Sequence, residues 1–212
     1  MCKDSFSWTR FKQNPVVGIL RGLPTDEVVQ LVPSYLKSGF YTLEVTMNSP
    51  EVTKTIGVLR KEFPELNVGA GTVCSVQDLD RALAAGAQFI VTPIVDAEVI
   101  GQCAARKIPI FPGAYTPTEI YTAWKLGASA VKVFPATQLG PQYFKDVLAP
   151  LNEIKLLPTG GVSADNIRAF FEAGAIGAGM GSSLFDKDLI AKGDFAGLER
   201  HFKKVAGQID RH

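Results

Sequence analysis

The residues in this sequence best suited to chemistry are a lysine and a glutamate, each set inside an apolar run. Lys132 lies in "ASAVKVFPA" (128–136), between Val131 and Val133. Glu44 lies in "TLEVT" (42–46), between Leu43 and Val45. Charged side chains are seldom fully buried unless they are paired. If both segments are strands, alternation turns Lys132 to one face and its valines to the other. The same parity puts Glu44 and Thr46 on a shared face. A lysine drawn partly out of water has a depressed pKa and can attack a carbonyl carbon to form a Schiff base. The protonated imine is an electron sink for a carbanion at the neighbouring carbon, which is carbon–carbon cleavage chemistry. A carboxyl at the same level can carry the protons. The plainer reading is a lysine that snorkels to water, or half of a structural ion pair with Glu44. The apolar flanks, continued by Phe134-Pro135, favour the chemical reading. So does the placement of Lys155, the other strand lysine, at the start of its own strand.

A second constellation is rich in glycine. "PTGGVS" (158–163) and "GAGMGSS" (177–183) each run from a strand through a glycine turn towards a helix. Exposed backbone N–H groups in such turns bind anions. One such turn alone would mean only a tight connection. Two, each followed by serine, point to phosphate held by Thr159, Gly160, Gly161, Gly181 and Ser182. A third glycine-rich end, "VGAGT" (68–72), is read as close packing, with Thr72 as a polar contact. The two histidines, His201 and His212, fall in the last twelve residues. That argues against histidine acid–base chemistry and a histidine-ligated metal.

Positioning these residues takes a regular frame. Apolar runs at 16–20, 42–46, 67–71, 88–92, 108–111, 130–134, 154–159 and 176–180 read as eight strands, separated by helical patterns. Continuous apolar strands between helices indicate a parallel sheet with both faces covered. A short amphipathic segment with Phe6, Trp8 and Phe11 precedes them as a helix. "TPTE" (116–119) is a capping box with Pro117 at the first helical position, and "SVQD" and "SADN" resemble it. Pro33 predicts a kink or break. Gly39, Gly86, Gly127 and Gly174 close helices at intervals of 47, 41 and 47 residues, so each interval holds two strand–helix units. That repetition favours an α/β fold of the (β/α)8 TIM barrel type with a short N-terminal helix, over a doubly wound sheet. The whole of 1–212 reads as one domain. In such barrels the site lies at the carboxyl ends of the strands. Here that rim carries Arg21, Glu44, Thr46, Thr72, Thr92-Pro93, Pro112-Gly113, Lys132, Thr159 and Gly181-Ser182.

The totals narrow the partners. With 212 residues, 22 basic and 21 acidic side chains and a net charge of +1, the chain has no overall attraction for nucleic acid or an anionic membrane. No apolar run is long enough to span a bilayer, and the N-terminus does not read as a signal peptide. Cys2, Cys74 and Cys103 are too few and too scattered for a disulfide framework, which fits a reducing, cytoplasmic compartment. Cys74 and Cys103 are expected to be small buried apolar residues.

At these residues the chain resembles the class I aldolases that cleave 2-keto-3-deoxy-6-phosphogluconate and 4-hydroxy-2-oxoglutarate. The likeness runs from "VVGILRG" to "GMGSSLF" through "LEVT", "VGAGTV", "VTP", "FPGAYTPTE", "KVFPA" and "PTGGV". It implies that Lys132 forms the Schiff base and that Glu44 is the general acid and base. It implies that Arg21 binds substrate, and that Thr72 and Pro93 line the site beside Phe134. The T-G-G turn and the late G-S would hold phosphate. The resemblance further implies cleavage of a phosphorylated 2-keto acid to pyruvate and glyceraldehyde 3-phosphate, no cofactor or metal, and a homotrimer. One position departs. Where the phosphogluconate enzymes often carry an arginine, this chain reads "MNSP" with Asn48. That turn and "GPQY" (140–143) are closer to the phosphogalactonate branch, and leave the C4 configuration of the substrate open. Two other classes remain: a phosphate-binding barrel isomerase or synthase, and a non-catalytic barrel that senses a sugar phosphate.

Overall fold

The computed structural model describes residues 5–209; the expectations for Cys2 and His212 lie outside them. The chain enters through α1 (Trp8–Gln13), capped by the Ser7 hydroxyl, which accepts the Arg10 N–H. Strands β1 (Val16–Leu20), β2 (Thr42–Thr46), β3 (Asn67–Gly71), β4 (Ile90–Val91) and β5 (Ile110–Phe111) follow, then β6 (Gly113–Ala114), β7 (Val131–Val133), β8 (Leu156–Pro158) and β9 (Ala178–Met180). The helices between them are α2 (Thr25–Lys37), α3 (Val52–Glu62), α4 (Val76–Ala84), α5 (Ala97–Ala105), α6 (Pro117–Lys125), α7 (Gly140–Leu148) and α8 (Ile167–Glu172). Helices α9 (Lys187–Ala191) and α10 (Phe195–Ala206) come last. This is an α/β fold with a curled parallel sheet.

The ladders order as β5-β4-β3-β2-β1-β9 and, separately, β6-β7-β8. The fifth predicted strand, 108–111, is in fact followed by a second short one. Pro112 has no N–H to give the ladder, so pairing stops at Phe111 and resumes at Gly113. The Pro112 carbonyl still accepts the Lys132 N–H at 2.9 Å. Beyond the named strands, Thr159 bridges Gly179 in parallel, and the Ile176 N–H donates to the Leu156 carbonyl at 2.9 Å.

Alternation along the strands builds two apolar layers. Leu43, Val45, Val131 and Val133 pack outward against the helices with Leu31, Ile56, Ile120 and Phe144, as their parity requires. Val17, Val91, Phe111 and Leu157 turn the other way and form an inner layer with Phe6, Phe11 and Phe89. Phe111 meets the rings of Phe6, Trp8, Phe11 and Phe89 at centroid distances of 6.2, 6.2, 6.3 and 5.7 Å. The opening helix and Phe6, just ahead of its cap, thus supply this layer with aromatic rings.

The capping box at Thr116 and Glu119 is complete, and Ser75 caps α4. At "SADN" the roles differ. Asn166 accepts the Ser163 N–H, and the helix begins only at Ile167. Gly39, Gly86, Gly127 and Gly174 all take positive φ, from 83° to 104°. Of the kink or break expected at Pro33, the break does not occur: α2 runs through it. Pro33 is exposed, so the carbonyl it leaves without a donor is on the solvent side, while Leu31, Val32 and Tyr35 bury the other face. Cys103 is buried, but Cys74 is exposed; it lies in the loop that leaves β3 for the α4 cap, not in the sheet. Among the described residues no helix is long and apolar enough to cross a membrane.

Candidate active site

Lys132 sits at the centre of β7 and is 5% exposed; Glu44 sits at the centre of β2 and is 1% exposed. Both line a chamber of about 10 Å³ inside the curl of the sheet, with Val17, Ile19, Phe111, Leu157 and Thr159. They make no direct ion pair among the described residues. Glu44 Oε2 and Thr159 Oγ1 are buried without hydrogen-bond partners. The Lys132 ammonium instead lies 4.7 Å from the centre of the Phe134 ring.

Burial sets the electrostatics of the pair. It pushes the Glu44 carboxyl up to about 7, against the opposing pull of Lys132 and Arg21. It holds the Lys132 amine below its ordinary value; Glu44 works against that and Arg21 adds to it. Desolvation outweighs attraction for both groups, since each loses its charged-state hydration and they do not touch. The carboxyl can thus give or take a proton near neutral pH, and the amine is closer to a free base than an exposed lysine.

Gly71 makes room for the carboxyl. The register sets Glu44 beside Gly69 on β3, and a Cβ on Gly71 would collide with the Glu44 carboxylate. The glycine-rich strand end read from sequence as close packing is just that, with Gly71 against Glu44 and Gly69 against the Phe89 ring.

A larger cavity of about 620 Å³ opens above the chamber. Arg21, Phe134, Thr159, Gly160, Gly161, Gly181 and Ser182 all line it. Thr159 borders both spaces and so stands between amine and turns. Gly160 and Gly161 have φ of 87° and 75°, a conformation side chains disfavour. Three bonds lock the turns. The Ser183 hydroxyl donates to the Val162 carbonyl at 2.6 Å, joining one turn to the other. The Asn166 amide donates to the Gly161 carbonyl at 2.8 Å. His201 Nε2, on α10, bonds the Ser183 carbonyl at 2.9 Å.

Thr72, Pro93 and Asn48 line neither space. Thr72 is half-buried, with φ of 56°, and its carbonyl accepts the Cys74 thiol at 3.6 Å. Pro93 is half-buried and Asn48 exposed. The "MNSP" turn is tied back by Ser49, whose hydroxyl pairs with Thr46 at 2.9 Å and accepts the Gly22 N–H at 2.9 Å. The residue after Arg21 is thereby fixed to the end of β2. Sequence reasoning missed Ser49, Ser183 and His201, and Lys187, which also lines the larger cavity. Of these only the second serine of "GSS" carried a signal, as part of an anion-binding turn.

Parallel strands with a buried lysine and glutamate at their centre, opening towards glycine turns at their carboxyl ends, define an α/β enzyme. The comparisons give the class more closely. The profile of the Aldolase: KDPG and KHG aldolase family matches residues 8–201, and the chain belongs to that family of carbon–carbon lyases. It is 36% identical over 173 residues to the 2-dehydro-3-deoxy-6-phosphogalactonate aldolase of Escherichia coli (strain K12), covering 81% of this chain and 84% of that one. A solved native KDPGal structure superposes with a TM-score of 0.84 at 32% identity, covering 97% of this chain and all of that one. A KDPG aldolase from Legionella pneumophila, solved with pyruvate captured at low pH as a covalent carbinolamine intermediate, superposes with a TM-score of 0.83 at 25% identity. The match covers 92% of this chain and 96% of that one.

Proposed function

We propose that this aldolase cleaves a 2-keto-3-deoxy-6-phospho sugar acid, of the gluconate or galactonate type, to pyruvate and glyceraldehyde 3-phosphate through an imine on Lys132. The same chemistry extends to 4-hydroxy-2-oxoglutarate, giving pyruvate and glyoxylate. The observation that carries the reading is the buried Lys132 and the buried Glu44, with its unpartnered Oε2, facing one chamber. The Lys132 amine attacks C2 of the keto acid. Glu44 protonates the departing hydroxyl of the carbinolamine, and water leaves. The Glu44 carboxylate then takes the proton of the C4 hydroxyl. The C3–C4 bond breaks, its electron pair passes to the imine, and the aldehyde departs. Glu44 returns its proton to C3 of the enamine, and water releases pyruvate. A carboxyl near 7 suits this alternation, because neither protonation state is costly to reach. The carbinolamine in the Legionella relative supports the first step.

Arg21, together with backbone N–H groups, takes the substrate carboxylate. Thr159, Gly160, Gly161, Gly181 and Ser182 take the phosphate, and Phe134 walls the site. Thr72 and Pro93 are assigned to the site by the resemblance alone. The bridge between Thr159 and Gly179 and the resumption of pairing after Pro112 support a complete (β/α)8 barrel in a single domain. The resemblance supports a homotrimer. Free thiols at Cys74 and Cys103 support a cytoplasmic, reducing location.

The test is to incubate the protein with pyruvate, reduce with borohydride and map the adduct by mass spectrometry. Modification at Lys132 is expected. An adduct on another lysine, or none, would overturn the mechanism.

A further inference from the structure

The 620 Å³ cavity has two cationic residues in its lining, Arg21 and Lys187, and no acidic one. Arg21 follows β1 and is felt at both Glu44 and Lys132. It belongs to the end where bonds are made and broken. Lys187 begins α9, a few residues beyond the Gly181–Ser183 turn, and lines the cavity together with Gly161, Ser163, Ser182 and Ser183.

We propose that Lys187 is a specificity residue: its ammonium engages the phosphate of the substrate and gives this enzyme its preference for phosphorylated over unphosphorylated keto acids. The inference rests on the phosphate reading of the turns given above, and adds to it a charged side chain that neither turn contains.

Three observations support the assignment. Lys187 is exposed and makes no ion pair among the described residues, so its charge is uncommitted. Neither flanking carboxylate, Asp186 or Asp188, pairs with it among the described residues, and Asp186 Oδ1 accepts the N–H groups of Asp188 at 2.9 Å and Leu189 at 3.0 Å. That capping bond also fixes the backbone from which Lys187 projects. Finally, the turns offer only neutral donors. A phosphate monoester carries between one and a half and two negative charges near neutrality, and a hydrogen bond from a charged donor to an ionised oxygen is roughly twice as strong as a neutral one. With Arg21 and Lys187 both in its lining, the cavity presents one cation for each anionic group of a phosphorylated keto acid. The plain alternative is a solvated surface lysine that happens to border the cavity, and it predicts that removing the charge leaves substrate discrimination unchanged.

The test compares Lys187→Gln with the wild type on two substrates, a 2-keto-3-deoxy-6-phospho sugar acid and 4-hydroxy-2-oxoglutarate. The ratio of their kcat/KM values should fall about tenfold in the variant, through KM of the phosphorylated substrate. Lys187→Arg should restore most of it. An unchanged ratio overturns the proposal. A second measurement does not depend on turnover: titration calorimetry with inorganic phosphate. Its affinity should drop about tenfold in Lys187→Gln, and the loss should shrink as salt rises, because an exposed cation is screened. Equal phosphate binding by the two proteins, strong or undetectable, also overturns it. Failure of the wild type to cleave either substrate, with the calorimetric difference present, would strike the cleavage reading and leave Lys187 as an anion ligand.

Discussion

Replacing Glu44 by glutamine separates what burial does to the fold from what it does for turnover. Burial raises this carboxyl from an ordinary 4.5 to about 7, so the folded protein holds the proton more tightly than the unfolded chain does. For a group raised on folding, the linked stability is complete below the unfolded pKa and is lost as the pH climbs through the folded one. The window here runs from about 4.5 to about 7. A pKa difference of one is worth about 1.4 kcal/mol, so between pH 5 and pH 8 the wild type should lose roughly 2–3 kcal/mol through this single group. Glutamine resembles the neutral acid in shape and does not titrate. The unfolding free energy of Glu44→Gln, measured by urea denaturation, should therefore gain roughly 2–3 kcal/mol on the wild type over that pH range. Turnover should fall by about 10²–10⁴ in the same variant, with slow imine formation retained, if the carboxyl is the proton carrier. A stability gap that stays constant from pH 5 to pH 8 would refute the reasoning, because the carboxyl would then ionise as an exposed one does.

Gly71→Ala should lower kcat/KM at least about tenfold and cost about 1–3 kcal/mol of stability, since the added methyl meets the Glu44 carboxylate; wild-type turnover would mean that Glu44 can move aside freely. Phe111→Ala should destabilise by about 3–5 kcal/mol in thermal or urea unfolding, because it empties the centre of a fully buried aromatic layer; a loss under 1 kcal/mol would mean that α1 collapses into the space. The gluconate- and galactonate-derived phosphorylated keto acids should both be cleaved, with kcat/KM values within about a hundredfold, or ~3 kcal/mol. Asn48 is exposed and lines neither cavity, so that turn supplies no charged contact to fix the C4 hydroxyl; a preference of several thousandfold would require such a contact elsewhere.

The features legible in the sequence are those that repeat or that violate local chemistry. Lys132 and Glu44 stood out because each breaks an apolar run, and strand parity then set their direction correctly. The helix-closing glycines were legible because positive φ selects for glycine. The second half of the fifth strand was not, because Pro112 interrupts the ladder at a point where the chain nonetheless stays extended. The break allowed for at Pro33 failed for the converse reason: a proline's effect depends on which side of the helix it faces, and that is decided by α10 and the rest of the core. Cys74 misled because small size alone does not decide burial. Lys187 and His201 were illegible as single polar residues. His201 is placed by its bond to the Ser183 carbonyl and Lys187 by the cavity it lines, which no local pattern encodes.

The bond from His201 to the Ser183 carbonyl makes α10 more than a cover for the sheet. Ser183 also holds the neighbouring turn through Val162, so the last helix, the second turn and the first turn form one mechanical series. Helix α10 is in turn anchored on α2, where Ser34 and Ser38 donate to the Phe195 and Glu199 carbonyls. On the proposed reading, an anion that steadies the turns also steadies the helix behind them, and the amides of α10 share in the free energy of binding although no residue of that helix lines the cavity. Slowed hydrogen exchange in residues 195–206 becomes a remote gauge of occupancy. Substitutions on that helix, far from any reacting atom, become a route by which affinity can drift while the chemistry stays fixed.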